Sequence, residues 1–585
     1  MRYNTILLIT LLAGLVPSVL LSQNLKRAVP PKERINELPS YSNGNFLIIK
    51  IAENDRTNSS EYFLETDEEL FQKMQAVFGA TELRIQSLIH QPKEFLLELK
   101  RKGEENSGIR LGNLSLYYKI DLRAVALEER ISIYNALMNL AELETVYFPV
   151  SNESTEITLD LSGTKTPEQF STPDFSGKQF YLNPAPAGVD AKYAWTKPGG
   201  DGTGINFCDI ELGLNKTHED FVQGNLTDIS LAPSIQDDHG TAVHGVIYAD
   251  HNGIGVDGMA YKVKPYFSNA YDSTGQDFDI ANAMARAIPV LNPGDVMLLE
   301  MMDQSHTTNS QWAPVEFSQA EFDVIQTITA SGIIVVEAAG NGNKNLDDTL
   351  KYGHKFDSTY RYSGAFMIGG VKSGVSGGTS PARQRLSPSS YGSRVDFYGY
   401  SEMVTSLGYG DLYGSTANEK YTAKFSGTSS ASPIVTGAAI LMESIYKSAT
   451  GGQTLDHKTL KGLLRYGATP SYAPVTDKVG VMPNLKSAID HMLLFTGNAQ
   501  SDMHDASFSV FPTLASDEIF VFNEENTSQQ ISFSVCDLSG KQILANNPHL
   551  FSGRDRIDIS GLAPGMYFLK ITGNQNPVVV KFVKK

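Results

Sequence analysis

Apolar runs of two kinds mark the middle of this chain. Short, continuous runs at residues 204–209, 295–301 and 332–338 predict buried strands. The run from 429 to about 447 is apolar nearly all round, which predicts a helix through the centre of a domain. Strands that alternate with helices indicate a largely parallel sheet with helices on both faces. We therefore predict an α/β domain over residues 179–498.

Residues 40–150 follow a different order. A capping box at Thr66-x-x-Glu69 predicts a helix that ends at Gly79, and helical spacing at 127–140 predicts another. The order strand, helix, strand, strand, helix, strand predicts a ferredoxin-like α+β unit, although the segment 92–100 fits neither pattern. The predicted strands lie at 45–52, 83–88, 116–122 and 145–148.

The last part of the chain, 507–585, is built from short strand-like runs separated by turn residues. Many short strands of this kind predict a small β-sandwich. The runs lie at 508–511, 519–522, 531–536, 556–559, 566–571 and 578–583. A stretch rich in Ser, Thr, Gly and Pro at 151–178 predicts a linker between the first two units.

The N-terminus has the pattern of a secretory signal peptide over residues 1–23. Arg2 provides the positive end, and the residues from Ile6 to Leu21 are almost all apolar. The run is short for a membrane span, although a retained N-terminal anchor is the alternative. No later segment is apolar enough to cross a bilayer, so we expect no transmembrane segment in the mature chain.

Composition excludes some partners. The formal charge of −17 over 585 residues argues against nucleic acid and against an anionic membrane surface. Cys208 and Cys536 are too few for a disulfide framework, and we expect both to be reduced and buried. Because a strand alternates its faces, the Cys208 thiol should point away from the carboxylate of Asp209.

Three short segments carry candidate chemistry. Asp209 lies in F-C-D-I-E-L-G, His239 in D-H-G-T-A-V-H-G and Ser429 in F-S-G-T-S-S-A-S-P. A serine hydroxyl becomes a useful nucleophile when a base takes its proton, and an acid must hold that base in one tautomer. These residue types can attack a carbonyl carbon, and the order Asp, His, Ser is one of those known for such triads.

These segments resemble those of subtilisin-like serine peptidases over about residues 180–498. The histidine motif is similar to His239-Gly240-Thr241, the serine motif to the residues from Gly427 to Pro433, and the oxyanion-hole segment to A-A-G-N-G at 338–342. The resemblance implies a secreted serine endopeptidase that works through an acyl-enzyme intermediate. Asp209 would hold the ring of His239, His239 would be the general base, and Ser429 would be the nucleophile.

The resemblance also implies an oxyanion hole made by the side-chain amide of Asn341 and the backbone N–H of Ser429. The segment Leu299-Glu300-Met301-Met302 replaces the family's Ser-Leu-Gly, which pairs with the substrate backbone. We assign Glu300 and Met301 to substrate binding on this basis. Glu300 would favour a basic P1 residue, and a structural hydrogen-bonding role is its alternative. His244, on the helix of His239, is interpreted as a core or rim residue.

Two further resemblances concern the ends of the chain. The unit at 40–150 is similar to the inhibitory propeptides of subtilisin-like enzymes, with a stable accessory domain as the alternative. The tail, with F-S-V-F-P, V-C-D-L-S-G-K and a final K-F-V-K-K, resembles the C-terminal sorting domain of the type IX secretion system. That resemblance implies a secreted or cell-surface protein whose partners are the type IX machinery and protein or peptide substrates; a binding module is the alternative.

Two other functions are the alternatives to the peptidase. An inactive relative of the same fold could serve as a surface binding protein, although all the catalytic positions are occupied. An esterase on another fold would carry its nucleophile in a G-x-S-x-G elbow, and neither the residues around Ser429 nor the order Asp, His, Ser fits that arrangement. No cofactor is required by this chemistry and no metal ligand is assigned. The absence of EF-hand-like spacing leaves a structural calcium ion without an assigned site.

Overall fold

The structure is a computed structural model, and it describes most of the chain. The predicted signal peptide at 1–23 and most of the predicted linker, 151–171, lie outside the described residues. The described residues are 27, 29, 32, 34–39, 42, 44–149, 172–222, 224–234, 237–275, 277–305, 311–501, 508–511, 514–515, 517–523, 529–538, 540–551, 554–572 and 578–584.

The N-terminal unit is a four-stranded antiparallel sheet in the order β2-β3-β1-β4, the strand order of a ferredoxin-like fold. It contains one helix more than predicted, α2, which includes the segment that fitted neither pattern. The first helix is capped by Asp67, which accepts from Leu70 N, and not by Thr66. Its elements are β1 Phe46–Ile51, α1 Glu68–Phe78, β2 Arg84–Ser87, α2 Lys93–Ser107, β3 Tyr117–Asp121, α3 Leu127–Met138 and β4 Leu143–Tyr147.

The central unit is built on a nine-stranded sheet with the order β16-β17-β13-β12-β11-β8-β5-β7-β6. Every neighbouring pair is parallel except the edge pair β16 and β17, so the predicted α/β class is confirmed. Its first half contains α4 Ala191–Ala194, β5 Asn206–Glu211, β6 Thr227–Asp228, α5 Asp237–Tyr248, β7 Lys264–Asn269, α6 Ile280–Ala287, β8 Val296–Leu299, β9 Met302–Ser305, β10 Gln311–Pro314, α7 Gln319–Ala330 and β11 Ile334–Ala338.

The second half contains α8 Thr349–Tyr352, β12 Phe366–Val371, β13 Phe397–Tyr400, β14 Val404–Leu407, β15 Tyr421–Phe425, α9 Thr428–Ala449, α10 His457–Arg465, β16 Thr469–Pro470, α11 Pro474–Asp477, β17 Val481–Met482 and α12 Leu485–Ser501. As predicted, α9 is buried over nearly all of its length, from Thr428 to Ile445. It passes through the middle of the domain because its residues are apolar or small on every face.

The two faces of the sheet bury separate cores, and strand alternation decides which residue faces which. Phe207 and Leu298 lie in the core shared with α5 and α9, whereas Cys208, Met297 and Leu299 lie in the core shared with α6 and α7. Cys208 is fully buried and points away from the side of Asp209, as predicted. Cys536 is only half-buried, contrary to expectation, and both cysteines are free.

The N-terminal unit packs against the central unit on the side of α6 and α7. Ile48, Leu96 and Tyr117 share a core with Met284 and Val324 of those helices. A buried ion cluster lies in the same interface. Arg27 Nη1 is 2.7 Å and Tyr117 Oη is 2.9 Å from Oδ2 of Asp323 on α7, and the other members of the cluster are Lys50, Glu53 and Glu144.

The C-terminal unit is a small sandwich of two sheets, as predicted. A three-stranded sheet has the order β18-β20-β24, and a larger one has the order β19-β26-β25-β21-β22, with β23 paired to β21. Ile519, Ile557 and Leu569 come from both sheets and share one core. The strands are β18 Phe508–Phe511, β19 Leu514–Ala515, β20 Glu518–Asn523, β21 Gln529–Cys536, β22 Gln542–Ala545, β23 His549–Phe551, β24 Arg554–Asp558, β25 Gly565–Thr572 and β26 Val578–Lys584.

No helix among the described residues is long and apolar enough to cross a membrane.

Candidate active site

The acidic end of β5 is the first part of the site. The strand ends at Glu211, two residues beyond the predicted end at Asp209. Because strand residues alternate, Asp209 and Glu211 both face the side of α5 and α9. Glu211 lies closer to the carboxyl edge of the sheet, where ligands gather in open α/β folds.

Glu211, and not Asp209, contacts the predicted base. Nδ1 of His239 lies 2.5 Å from Oε2 of Glu211, and Oε1 of the same carboxylate accepts from Leu212 N at 2.6 Å. Gly240 permits this approach, because a Cβ there would lie 2.1 Å from the Gly213 carbonyl oxygen and 2.8 Å from Cγ of Glu211. The structure therefore does not bring Asp209 to His239 as the sequence analysis expected.

Asp209 instead lies deeper in the core, beside His244. Oδ2 of Asp209 is 3.3 Å from Nε2 of His244, and both side chains are fully buried. Burial, together with the charge of Glu211, raises the pKa of Asp209 well above its usual range. Burial also lowers the pKa of His244 to about 3, so this imidazole is neutral near pH 7. His244 is the core residue that the sequence suggested.

The environment of His239 is suited to a base that must become charged. Burial alone would lower its pKa, but the charge and hydrogen bond of Glu211, helped by Asp209, outweigh burial and raise the pKa of His239 above its ordinary value. Its side chain is 27 % exposed, so the ring remains open to a ligand. The ring of Phe425, at the end of β15, lies against it with centroids 5.7 Å apart.

Ser429 lies in the first turn of α9, directly after the N-cap Gly427 and Thr428. The first N–H groups of a helix have no partner within the helix, and its dipole is positive at this end. The neighbouring serines are otherwise engaged, since Ser430 Oγ donates to the Tyr400 carbonyl at 2.9 Å and Ser432 Oγ contacts the Thr428 carbonyl at 2.8 Å. Ser429 is therefore the one of these three serines for which no hydrogen bond to a backbone carbonyl is seen in the described part of the chain.

Asn341 lies beside this helix start. Its Oδ1 accepts from Thr428 N at 2.8 Å, which fixes the amide so that Nδ2 is left as a donor. Nδ2 lies next to Gly427, where an added Cβ would come within 3.1 Å of it. Gly427 has φ of 83°, so the position favours glycine for its backbone conformation as well.

Glu300 and Met301 do not line an open pocket. Glu300 follows β8, is 4 % exposed, and its Oε1 lies 2.5 Å from Ser432 Oγ. Met301 is 5 % exposed and packs in the core on the α6 and α7 side. The assignment of their side chains to substrate binding is therefore not supported by their positions, and for Glu300 the hydrogen-bonding alternative describes the structure. The chain continues into a hairpin of β9 and β10.

Within the part of the chain that the structure describes, no cluster of three or more His, Cys, Asp or Glu side chains could hold a metal ion.

Sequence reasoning missed Glu211. The signal was available in two features: the apolar pattern continues through Ile210, and Glu211 shares the face of Asp209 while lying two residues nearer the sheet edge. An acid that serves a ligand site at the carboxyl edge should be the last residue on that face, which is Glu211.

Comparisons with known proteins agree with this architecture. Residues 201–487 match the model of the subtilase family, and residues 509–585 match that of the secretion system C-terminal sorting domain. Subtilisin of Bacillus pumilus is 31% identical over 262 residues, which cover 44% of this chain and 82% of that protein. Subtilisin E of Bacillus subtilis (strain 168) is equally identical over 262 residues, but the alignment spans only 59% of its length.

Solved structures give weaker likenesses. A protease from Pseudoalteromonas arctica matches 55% of this chain and 100% of its own, at 20% identity and a TM-score of 0.41. The sorting-domain match indicates a protein that is exported to the cell surface or beyond it through type IX secretion. Since a subtilisin is matched at 31% identity over 82% of its length, this chain belongs to the subtilase family.

Proposed function

We propose that this protein is a secreted serine endopeptidase whose triad is Glu211, His239 and Ser429. The observation that carries the proposal is the 2.5 Å bond between Glu211 and Nδ1 of His239, at the sheet edge where α9 begins. A carboxylate on Nδ1 leaves Nε2 as the proton acceptor, which is the tautomer that a general base for serine needs.

Attack on the substrate carbonyl begins when Ser429 transfers its proton to Nε2 of His239. Glu211 stabilises the resulting imidazolium, and the raised pKa of His239 expresses this stabilisation. As the pH falls through that raised pKa, the ring becomes charged before the reaction and can no longer take the proton. Hydrolysis should therefore decline on acidification.

The oxygen of the tetrahedral intermediate would be held by two donors. One is the backbone N–H of Ser429 in the first turn of α9, and the other is Nδ2 of Asn341, whose Oδ1 is anchored by Thr428 N. Fixed donors at this point stabilise the charge that develops in the transition state. Collapse of the intermediate leaves an acyl group on Ser429, and His239 returns its proton to the leaving amine.

Water then completes the cycle. The same base takes a proton from the water that attacks the acyl group, and Ser429 leaves with a proton from His239. Protein or peptide substrates follow from this chemistry. Because the side chains of Glu300 and Met301 are buried, neither of them provides a charged partner for the P1 residue of the substrate.

The direct test is Ser429→Ala, with Ser430→Ala as the matched control. Ser429→Ala should abolish peptide hydrolysis by the mature protein, because it removes the hydroxyl that attacks the substrate carbonyl in the proposed reaction. Ser430→Ala removes a hydroxyl that donates to the Tyr400 carbonyl and should leave hydrolysis largely intact. Full activity in Ser429→Ala, or loss only in Ser430→Ala, would refute the proposal.

A further inference from the structure

Glu300 is a buried carboxyl group for which the reaction above has no use. It directly follows β8 and faces the α5 and α9 side of the sheet, since Leu298 of the same strand packs there. Its Oε1 lies 2.5 Å from Oγ of Ser432, in the second turn of the helix that begins beside Ser429. Ser429 itself lies close enough to act on the pKa of Glu300.

The hydrogen bonds of Ser432 limit the charge that Glu300 can carry. Oγ of Ser432 is 2.8 Å from the Thr428 carbonyl oxygen, which can only accept, and 2.5 Å from the Glu300 carboxyl. A hydroxyl has one proton, so it cannot donate to both oxygens at once. Both bonds form if Ser432 donates to Thr428 and the carboxyl of Glu300 donates to Ser432, which requires a protonated Glu300.

Among the residues that the structure describes, the groups around Glu300 include no cation that pairs with it. β5 contributes Asp209 and Glu211, and α5 contributes His239, which bonds to Glu211, and the neutral His244 beside Asp209. Glu337 of the neighbouring β11 lies on the opposite face, with Val335 in the core of α6 and α7. Among the described residues Glu300 forms no salt bridge, whereas Glu211 has His239 as its cation.

We propose that Glu300 is held as a neutral carboxylic acid beneath the nucleophile, where it donates its proton to Ser432 and positions Ser429 at the start of α9. Burial, with the charges of Asp209 and Glu211, raises the pKa of Glu300 well above its usual range, and the hydroxyls of Ser432 and Ser429 act in the opposite direction. The inference rests on the proposed role of Ser429, but the protonation state can be tested without catalysis.

Neutrality matters for the reaction. A carboxylate at this place would lie beside the serine on which the tetrahedral intermediate forms, and like charges at short range in a buried site repel strongly. A neutral acid supplies the hydrogen bond without that repulsion. Glu300 is a positioning residue in this scheme, because it acts through Ser432 and Ser429 and does not contact the substrate.

The first test measures stability against pH in the inactive Ser429→Ala background, which avoids self-digestion. A group whose pKa is raised in the folded state contributes stability that is present below its unfolded pKa and is lost as the pH rises. Glu300→Gln cannot titrate. The difference in melting temperature, Glu300→Gln minus background, should therefore increase from acid to mildly alkaline pH, by on the order of 5 °C. A difference that is constant or falls with pH would overturn the proposal.

The second test uses kinetics of the active protein. Glu300→Gln has an amide that can still donate to Ser432, so it should remove a decline of kcat at alkaline pH that the parent shows and should leave the P1 preference unchanged. The matched control is Glu443→Gln, a buried glutamate with a pKa of about 8 toward the other end of α9, and it should retain the decline. A changed P1 preference in Glu300→Gln would show that the side chain lines the pocket and would overturn the proposal.

A third variant keeps the proposal testable if Glu300→Gln does not fold. Glu300→Met has a similar size and no charge, so it should fold if the position requires neutrality. If neither Glu300→Gln nor Glu300→Met folds, the position requires a charge and the proposal is wrong. An inactive parent protein would refute the proposed function while leaving the stability comparison valid, so the two failures can be distinguished.

Discussion

At the scale of single residues, distance along one strand decides which carboxylate contacts His239. Asp209 and Glu211 face the same side, but only Glu211 reaches Nδ1 of His239, while Asp209 lies against His244. The resemblance implied an aspartate as the acid, so Asp209 was the expected residue from the sequence. The extra methylene of glutamate is accommodated because Gly240 leaves room for its Cγ.

An isosteric pair of substitutions tests this assignment. Glu211→Gln removes the charge that stabilises the His239 imidazolium, and the loss of a triad carboxylate lowers kcat by about 10⁴-fold in a well-studied serine protease. Asp209→Asn replaces a fully buried group that contacts His244 and not His239, so hydrolysis should stay within about tenfold of the parent. The measurement is kcat for a peptide substrate in both variants at neutral pH.

The opposite ranking would contradict the assignment. If Asp209→Asn lost most of its activity and Glu211→Gln did not, the acid would be Asp209. Circular dichroism of both variants is the control, because Asp209 is fully buried and its replacement must leave the fold intact for the comparison to hold.

At the scale of elements, the candidate site takes its residues from the end of one strand and the starts of two helices. β5 presents Glu211, α5 presents His239 in its first turn, and α9 presents Ser429 in its own. Asn341 follows β11, and its side-chain amide is held at the start of α9 by a hydrogen bond from the backbone N–H of Thr428.

The oxyanion role proposed for Asn341 predicts a large loss of kcat when the side chain is removed. Asn341→Ala should lower kcat by roughly 10²- to 10³-fold, a magnitude taken over from a subtilisin, with KM nearly unchanged. Loss of the bond to Thr428 N would also loosen the helix start, so Asn341→Asp, which keeps an accepting oxygen and lacks the donor, is the second variant. Activity near that of the parent in Asn341→Asp would show that the amide donates no important bond.

The elements that could be predicted from the sequence were those with strong periodicity. A clear apolar pattern predicts a single type of element for the strands at 295–301 and 332–338, for the buried helix α9 and for the strands of the tail. α2 was missed because Lys93–Ser107 is rich in charged residues and buries little besides Leu96. The end of β5 was placed two residues early because a single strand carries two acids on one face.

The site could be predicted only as far as it follows motifs. His239, Ser429 and Asn341 stand in motifs, and the structure bonds Asn341 to Thr428 beside Ser429 and His239 to Glu211 at the end of β5. The position of Glu300 depends on which way a side chain turns after β8, and only its contact with Ser432 reveals that it points into the core. Pattern along the chain does not contain that information.

At the scale of the whole molecule, the N-terminal unit is held on the central unit by a core that contains charge. Asp323 of α7 is fully buried and contacts Arg27 and Tyr117 of the N-terminal part of the chain. Removing one member of a buried ion pair leaves its partner uncompensated, which costs more than the pair contributes.

Asp323→Asn should therefore weaken the attachment of the N-terminal unit. We expect a loss of about 3–5 kcal/mol in the free energy of unfolding, measured by denaturant titration in the Ser429→Ala background. Lys73→Ala, which breaks an exposed ion pair with Glu69 and Glu142, is the control and should be indistinguishable from the background. Equal stability of Asp323→Asn and the background would mean that the ion cluster does not hold the interface.

The most direct measurement of the central claim is the rate at which a fluorophosphonate labels Ser429 as a function of pH. The account predicts labelling of Ser429 in the mature protein, with a decline on acidification whose midpoint lies above about 6.5, the ordinary histidine pKa. In Glu211→Gln the labelling should be much slower and its midpoint lower, whereas Asp209→Asn should follow the parent. No labelling of folded protein, or a midpoint that responds to Asp209→Asn and not to Glu211→Gln, would contradict it.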